Sequence, residues 1–279
     1  MSANDSAKLN NFHPEKRLPS NKRGRSVYIQ KFDYQSEECE KPFALILDFE
    51  ATCPYENSRE HEIIQVPVVL LNVQTREIVA EFESFVQPEL SGVVSDFTQK
   101  FTGITNEQVW SGLPWTKCLT ELEIWINEHG VTSENTTVVT CGDWDLKTML
   151  PRQLEITRSV LTPKLDKLFS CWNNMKLTFA RCPKTKPHER RARLKRMDKM
   201  LEEIEAELVG HHHNGMDDCK NISTICIWLL DNGCDITRPN KIREYPLWNN
   251  PKPYYKRTSK GKIVEIHHPQ SQHGYIQTL

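Results

Sequence analysis

The chain has 279 residues, 38% hydrophobic, 26% charged and 9% aromatic, enough for a real core in one medium domain with tails or two small ones. Thirty-six lysines and arginines balance 37 aspartates and glutamates, a net charge near -1, which excludes a uniformly basic coat of the histone or ribosomal kind. No run approaches the roughly 18 apolar residues of a membrane span, and residues 1–20 carry charges where a signal peptide needs an apolar stretch. The nine cysteines are scattered and form no Cys-x-x-Cys pair, so reduced thiols, no membrane and a soluble life in cytoplasm or nucleus are expected.

Residues 1–40 are polar, with Lys16, Arg17, Lys22, Arg23 and Arg25 bunched together. They read as a tail, and the basic bunch as a solvated arm or a nuclear signal. Residues 41–238 form the predicted domain. Phe43-Ala44-Leu45-Ile46-Leu47 is a continuous apolar run, as a strand buried on both faces requires. Ile63 to Val73 and Ile78 to Val86 are β-rich runs joined by the polar Gln74–Glu77, a hairpin-length connection. Helices are predicted from Asp96 behind the cap Ser95, from Glu107 behind Asn106, and from Pro114 to Gly130. A fourth strand at Thr137–Thr140 leads to a helix from Asp145 to about Ile156, and a last helix from Asp217 to Asn232 ends at Gly233. Residues 239–279, rich in proline and basic side chains, read as a second tail. Inside the domain, residues 181–199 hold nine basic side chains against Glu189 and Asp198. That field is too one-sided for casual decoration, and Arg190, Arg191 and Arg193 are the candidates for nucleic-acid backbone contact.

Asp48 and Glu50 close the first strand, and side chains two apart in a strand share a face, roughly 6.5–7 Å apart along the chain. Two acids at the end of an apolar strand repel and lose hydration unless a divalent cation neutralises them. Trp144-Asp145 follows the fourth strand at a helix start, and His213 stands five residues before Asp218 at another. Any one of these acids read alone ends a strand or caps a helix. The ordered set suits in-line phosphodiester hydrolysis, where two metals about 3.5–4 Å apart activate water, shield the phosphate and stabilise the leaving oxygen. Carboxylates suit Mg²⁺ or Mn²⁺, and a histidine basic near neutrality suits a general base. Zinc is not expected, because the consecutive His211-His212-His213 cannot all converge on one ion and no cysteine lies at zinc spacing.

Asp48-Phe49-Glu50, Trp144-Asp145 and His213 with Asp218 resemble the three motifs of the DEDDh 3′-to-5′ exonucleases. Leu47-Asp48-Phe49-Glu50-Ala51-Thr52-Cys53, Glu62-Ile63-Ile64-Gln65-Val66-Pro67-Val68, Phe101-Thr102-Gly103-Ile104-Thr105 and Asp217-Asp218-Cys219-Lys220-Asn221-Ile222 extend the likeness. They are similar to the branch of the histone-mRNA 3′-end exonuclease, the enhancer-of-RNAi exonucleases, the prion-protein-interacting exonuclease and Snipper. The resemblance implies an RNase H-like α/β fold, a mixed five-stranded sheet flanked by helices. It also implies two Mg²⁺ ions, replaceable by Mn²⁺, on Asp48, Glu50, Asp145 and Asp218, with catalysis by Glu50 and His213. Terminal-nucleotide contacts are implied for Glu50, Ala51, His213 and Ile104; for Ile104 a core role is equally open.

The chain departs from the family's usual pattern at two places. Gly210-His211-His212 stands where Gly-Arg-Pro is usual, so the register rests on the spacing from His213 to Asp218 and on Gly215. Cys171-Trp172-Asn173-Asn174 stands where an apolar fifth strand is usual. The SAP-type module of some relatives does not fit in residues 1–40. The expected function is metal-dependent removal of nucleotides from the 3′ end of RNA, DNA or both, on a single strand or a 3′ overhang, releasing 5′-monophosphates. A catalytically idle nucleic-acid-binding adaptor and a metal-dependent endonuclease on the same fold are the alternatives.

Overall fold

The computed structural model describes residues 41–53, 61–185, 194–243 and 245–247, together with the backbone of two short strands at 254–257 and 263–266. Residues 1–40 and the three candidate arginines, Arg190, Arg191 and Arg193, lie outside the described residues.

The first half of the domain runs β1 (Phe43–Leu47), β2 (Glu50–Ala51), β3 (Ile63–Asn72), β4 (Ile78–Phe85), α1 (Asp96–Thr102), α2 (Asn106–Trp110), α3 (Trp115–Glu128) and β5 (Thr136–Thr140). After a single π-turn at Asp145–Met149 come α4 (Leu150–Ile156), α5 (Pro163–Phe169), β6 (Cys171–Asn174), α6 (Met175–Arg181), α7 (Met197–Glu203), α8 (Gly215–Asp231) and β7 (Lys241–Ile242). The paired strands β8 (Tyr254–Arg257) and β9 (Ile263–Ile266) form a separate two-stranded sheet.

The main sheet has seven strands rather than the expected five, because the two-residue strands β2 and β7 join it; its order is β4-β3-β1-β5-β6-β7, with β2 pairing β3 beyond the end of β1. β1 is antiparallel to β3 and parallel to β5, so the sheet is mixed. Ala44 to Leu47 are fully buried because helices cover both faces of this central strand. Alternate side chains enter two cores. Leu45 and Leu47 pack with Trp115, Leu119 and Leu122 of α3 and Phe169 of α5. Ala44 and Ile46 pack with Phe179 of α6, Met200 of α7 and Cys219, Ile222 and Ile225 of α8. The edge strand β4 is instead partly exposed along its length.

Several local readings of the sequence need correction. The N-cap of α2 is Thr105, whose hydroxyl accepts from the Gln108 amide while the Gln108 side chain bonds back to the Thr105 amide, a capping box. Asn106 instead bonds both the amide and the carbonyl of Val94. The helix expected from Asp145 opens as a π-turn, with the Leu150 amide bonded to the Asp145 carbonyl. Pro151 has no N–H for the regular ladder, so the turn before it widens. The last helix starts at Gly215 rather than Asp217, with Asn214 accepting from the Asp217 amide. The polar Cys171–Asn174 does form a strand, parallel to β5, because its asparagines are paid back by hydrogen bonds: Asn173 donates to the Arg238 carbonyl and Asn174 to Asp143.

The boundary drawn at residue 238 falls inside the packed domain. β7 pairs with β6, Leu247 is buried, and the buried Arg243 guanidinium bonds the Asp166 carboxylate and the Phe169 carbonyl. Asp166 also accepts from the Leu247 amide at 2.9 Å. A two-residue strand and one ion pair leave no periodic trace in a proline-rich sequence. Removing one partner of a buried pair strands the other charge. Asp166→Ala is therefore expected to lower the unfolding free energy by about 3–5 kcal/mol, read from urea denaturation.

Candidate active site

The parallel register sets Leu47 beside Thr140, so β1 and β5 end at the same edge of the sheet. Asp48 and Glu50 leave β1 there, while Phe49 between them turns into the core. Asp145 opens the π-turn after β5, is buried, and accepts the Phe49 amide on Oδ1 at 3.0 Å. That bond ties the third acid to the peptide between the first two.

The fourth acid arrives on α8, whose first residue is pressed onto the sheet. A Cβ on Gly215 would lie 2.6 Å from Pro67 Cγ and 2.7 Å from the Asp48 carbonyl oxygen. Only glycine allows that approach. The Gly215 amide donates to Gln65 Oε1 at 2.8 Å, and the Gln65 amide group donates to Glu83 at 2.6 Å. So docked, α8 brings one oxygen each of Asp48, Glu50 and Asp218 within 4.8 Å of one another.

The electrostatics follow from this crowding. Burial, then the charges of Asp145 and Asp218, hold Asp48 well above the ordinary carboxylate range, with Lys176 at the start of α6 pulling the other way. Glu50 is pushed up to about 10 by burial and then by Asp48. Burial raises Asp145 to about 6, against the opposing Phe49 amide, and raises Asp218 against the opposing His212. Hard oxygen donors that repel one another in a poorly solvated place fit a divalent cation. Asp48, Glu50 and Asp218 are close enough together to hold one, with Asp145 bonded to the Phe49 amide beside them.

The histidine loop leads into α8. His211 is exposed, donates its amide to Asp217 at 2.7 Å and sets its ring over Gly103. His212 Nδ1 lies 3.2 Å from Asp218 Oδ1. His213 adopts a left-handed backbone with φ of 72° and donates its amide to Asp218 Oδ2 at 3.0 Å. Its ring is stacked between His212, at 3.9 Å, and the half-exposed Phe101, at 4.0 Å. Burial, then its histidine neighbours, lowers the His213 imidazole to about 4.

Among the other predicted site residues, Ala51 is buried beside Glu50 in β2. Ile104 has no exposed surface and packs with Ile64, Val94 and Val109, so it serves the core; the exposed ring of that segment is Phe101. Asp143 is a tether, bonding Trp172 Nε1, Asn174 and Lys241. In the basic segment Lys195, Arg196 and Lys199 are ion-paired with Glu203, Asp198 and Glu202.

Three positioning residues escaped the sequence reading. Gln65 seats α8. Lys176 offsets the acids. Glu62, fully buried, accepts the amides of Glu89, Leu90 and Ser91 and so anchors the chain entering α1, which carries Phe101. Glu62 and Gln65 stand in a quoted motif, yet as polar letters in an apolar strand they gave no sign of their partners.

Residues 45–226 match the RNase T exonuclease family. The chain belongs to this family. The Homo sapiens 3′-5′ exoribonuclease 1 is 33% identical over 204 residues, covering 72% of this chain and 56% of that protein. The nuclease domain of 3′hExo, a DEDDh family member bound to rAMP, superposes with a TM-score of 0.66 at 32% identity, covering 74% of this chain and all of that domain. A 3′-exonuclease solved in its recognition of the histone mRNA stem-loop gives a TM-score of 0.64 at 28% identity, covering 82% of this chain and 92% of that one. The matched segment spans 56% of the Homo sapiens 3′-5′ exoribonuclease 1 and of its Mus musculus counterpart, and 33% of the Homo sapiens ERI1 exoribonuclease 2. The mixed α/β fold expected from the sequence is that of these exonuclease structures.

Two expectations follow from the geometry. Burial raises both Asp48 and Glu50, so their contribution to stability is full below the ordinary carboxylate range, about pH 4, and is lost as pH rises, for Glu50 completely on passing about 10. Metal-free protein should therefore melt lower at pH 8 than at pH 5, Asp48→Asn should melt higher than wild type at pH 8, and a bound cation should raise the wild-type melting temperature. Separately, His213→Ala should lose about a hundredfold or more of turnover, and Asp145→Asn nearly all, while His211→Ala, His212→Ala and Asp143→Asn keep most. Single-turnover rates of the five variants decide it; loss in Asp143→Asn instead of Asp145→Asn would reverse the roles of the two acids.

Proposed function

We propose that this protein is a metal-dependent 3′-to-5′ exonuclease that removes nucleotides from the 3′ end of RNA and releases nucleoside 5′-monophosphates. The observation that carries the reading is the convergence of Asp48, Glu50 and Asp218, with Asp145 bonded behind them and His213 beside Asp218. Asp48, Glu50, Asp145 and Asp218 would hold two Mg²⁺ ions, or Mn²⁺ in their place. When bound, such ions lower the pKa of a coordinated water and shield the charge of the scissile phosphate. The chain's own residues supply the rest. His213, whose amide is bonded to Asp218, carries the imidazole that would take the proton of an attacking water; burial lowers its basicity in the metal-free site, which opposes this role. Phe101, stacked on His213, and Trp144, which precedes Asp145 in the chain, have exposed rings that offer stacking faces to unpaired bases.

RNA as substrate is supported by the name of the human relative and by the stem-loop complex of the similar 3′-exonuclease. The partner is a nucleic-acid 3′ end, on a single strand or a 3′ overhang. The deciding experiment incubates 3′-end-labelled and internally labelled RNA side by side with Mg²⁺. The expected result is stepwise shortening with early loss of the 3′ label, abolished by EDTA. Internal fragments would indicate an endonuclease, and binding without cleavage an idle adaptor.

Arg190, Arg191 and Arg193 are assigned to phosphates behind the 3′ end. Replacing all three with glutamine should weaken binding of a duplex with a 3′ overhang and lower the salt slope by up to about 0.9 per lost contact. Hydrolysis of a dinucleotide should stay nearly unchanged, and an unaltered slope would leave the segment a solvated face.

A further inference from the structure

The four acids do not account for the histidine loop. One donor atom each of His212, His213 and Asp218 lies within 4.8 Å of the others, a second cluster that shares Asp218 with the acids. All three histidines cannot reach one ion, but the left-handed turn at His213 folds two of them back over the start of α8. His211 is turned away against Gly103.

One pair, now joined by a hydrogen bond, is only slightly closer than a coordination edge. Two ligands each about 2.0–2.2 Å from a tetrahedral ion are about 3.3–3.6 Å apart, and His212 Nδ1 stands 3.2 Å from Asp218 Oδ1. The donor set also differs in kind from its neighbour. Two imidazoles and one carboxylate are the donors Zn²⁺ takes, with a fourth position left for water, whereas Mg²⁺ keeps to oxygen. The His213 ring lies nearly parallel to the His212 ring, 24° apart, so it must turn out of its stack for its lone pair to meet the ion.

We propose that His212, His213 and Asp218 form a Zn²⁺ site that silences the neighbouring carboxylate site when filled. Zn²⁺ there displaces the proton between His212 and Asp218, engages the lone pair of His213 and withdraws Asp218 from the acids. The silencing rests on the exonuclease reading; the binding does not.

The test titrates Zn²⁺ into the full-length protein under saturating Mg²⁺ by calorimetry, with Co²⁺ as a spectroscopic probe and RNA hydrolysis as a parallel readout. Wild type should bind one Zn²⁺ that Mg²⁺ does not displace, show the intense visible bands of four-coordinate Co²⁺, and lose hydrolysis as the site fills. Loss of a direct ligand should cost more than the roughly 10–100-fold that loss of an outer partner costs. His212→Asn should weaken Zn²⁺ by at least that factor and escape inhibition while keeping Mg²⁺-driven hydrolysis, and His211→Asn should behave as wild type. Absent Co²⁺ bands, or Zn²⁺ binding unchanged in His212→Asn and lost in Asp48→Asn, would overturn the proposal by placing the ion on the acids. Zn²⁺ binding that depends on His212 in a protein without hydrolysis would uphold the site and overturn the exonuclease reading instead.

Discussion

Four carboxylates gathered where the buried central strands end repel one another, and most of what is unusual in this domain opposes that repulsion. Asp48 and Glu50 follow a strand whose last four residues are fully buried, so water cannot stabilise their charges from below. Asp145 is held by the Phe49 amide and Asp218 by the His213 amide. These are charge-assisted bonds, stronger than neutral ones. Lys176 supplies a positive charge nearby, opposing the upward shift of Asp48 and Asp145. These contacts do not offset the burial of Glu50, which together with the charges of the neighbouring acids keeps it protonated far above its ordinary range. The apolar bulk on both sides of the sheet holds the arrangement together.

The same constraint explains the close packing of α8. Asp218 reaches the cluster only because Gly215 lets the helix touch Pro67 and the Asp48 carbonyl. The contact buries the Gly215 amide, and Gln65 satisfies it without adding a fifth charge. A carboxylate at position 65 would accept the same bond, but it would also face Glu83, which the Gln65 amide group now meets as a donor. A neutral, two-ended side chain is what this position requires.

How much of this is legible in the sequence depends on whether the feature has a period or a motif. β1 reads directly as an unbroken apolar run, β3 as a β-rich run interrupted by Gln65, and α3 as an apolar stripe between Pro114 and Gly130. The acids read as a set because their order and flanking elements recur as a motif. Features stabilised by single polar contacts did not read: β6 depends on Asp143 and the Arg238 carbonyl, and the end of the domain on Arg243 meeting Asp166 across 77 positions. The N-cap of α2 went to Thr105 because two adjacent residues were both good caps and only one also had Gln108 three positions on. Ile104 shows the opposite failure, a residue inside a motif that packing has claimed for the core.

The site is also divided in how firmly its parts are held. Glu50 stands on β2, Asp48 on the short link between β1 and β2, and Asp145 on the first turn of a helix, next to strand ends fixed by ladder bonds and by two cores. The histidines stand on a loop that includes left-handed positions at Gly210 and His213 and is tied mainly to Asp217 and Asp218. Turning His213 breaks no sheet bond and uncovers no core residue; it gives up stacking on Phe101 and His212. On the proposed reading, charge placement falls to residues fixed by the sheet, and proton transfer to a loop residue held by stacking. A base that must reach a water, release its proton and clear the departing nucleotide needs such freedom. Ligands that must crowd like charges into one place need the opposite.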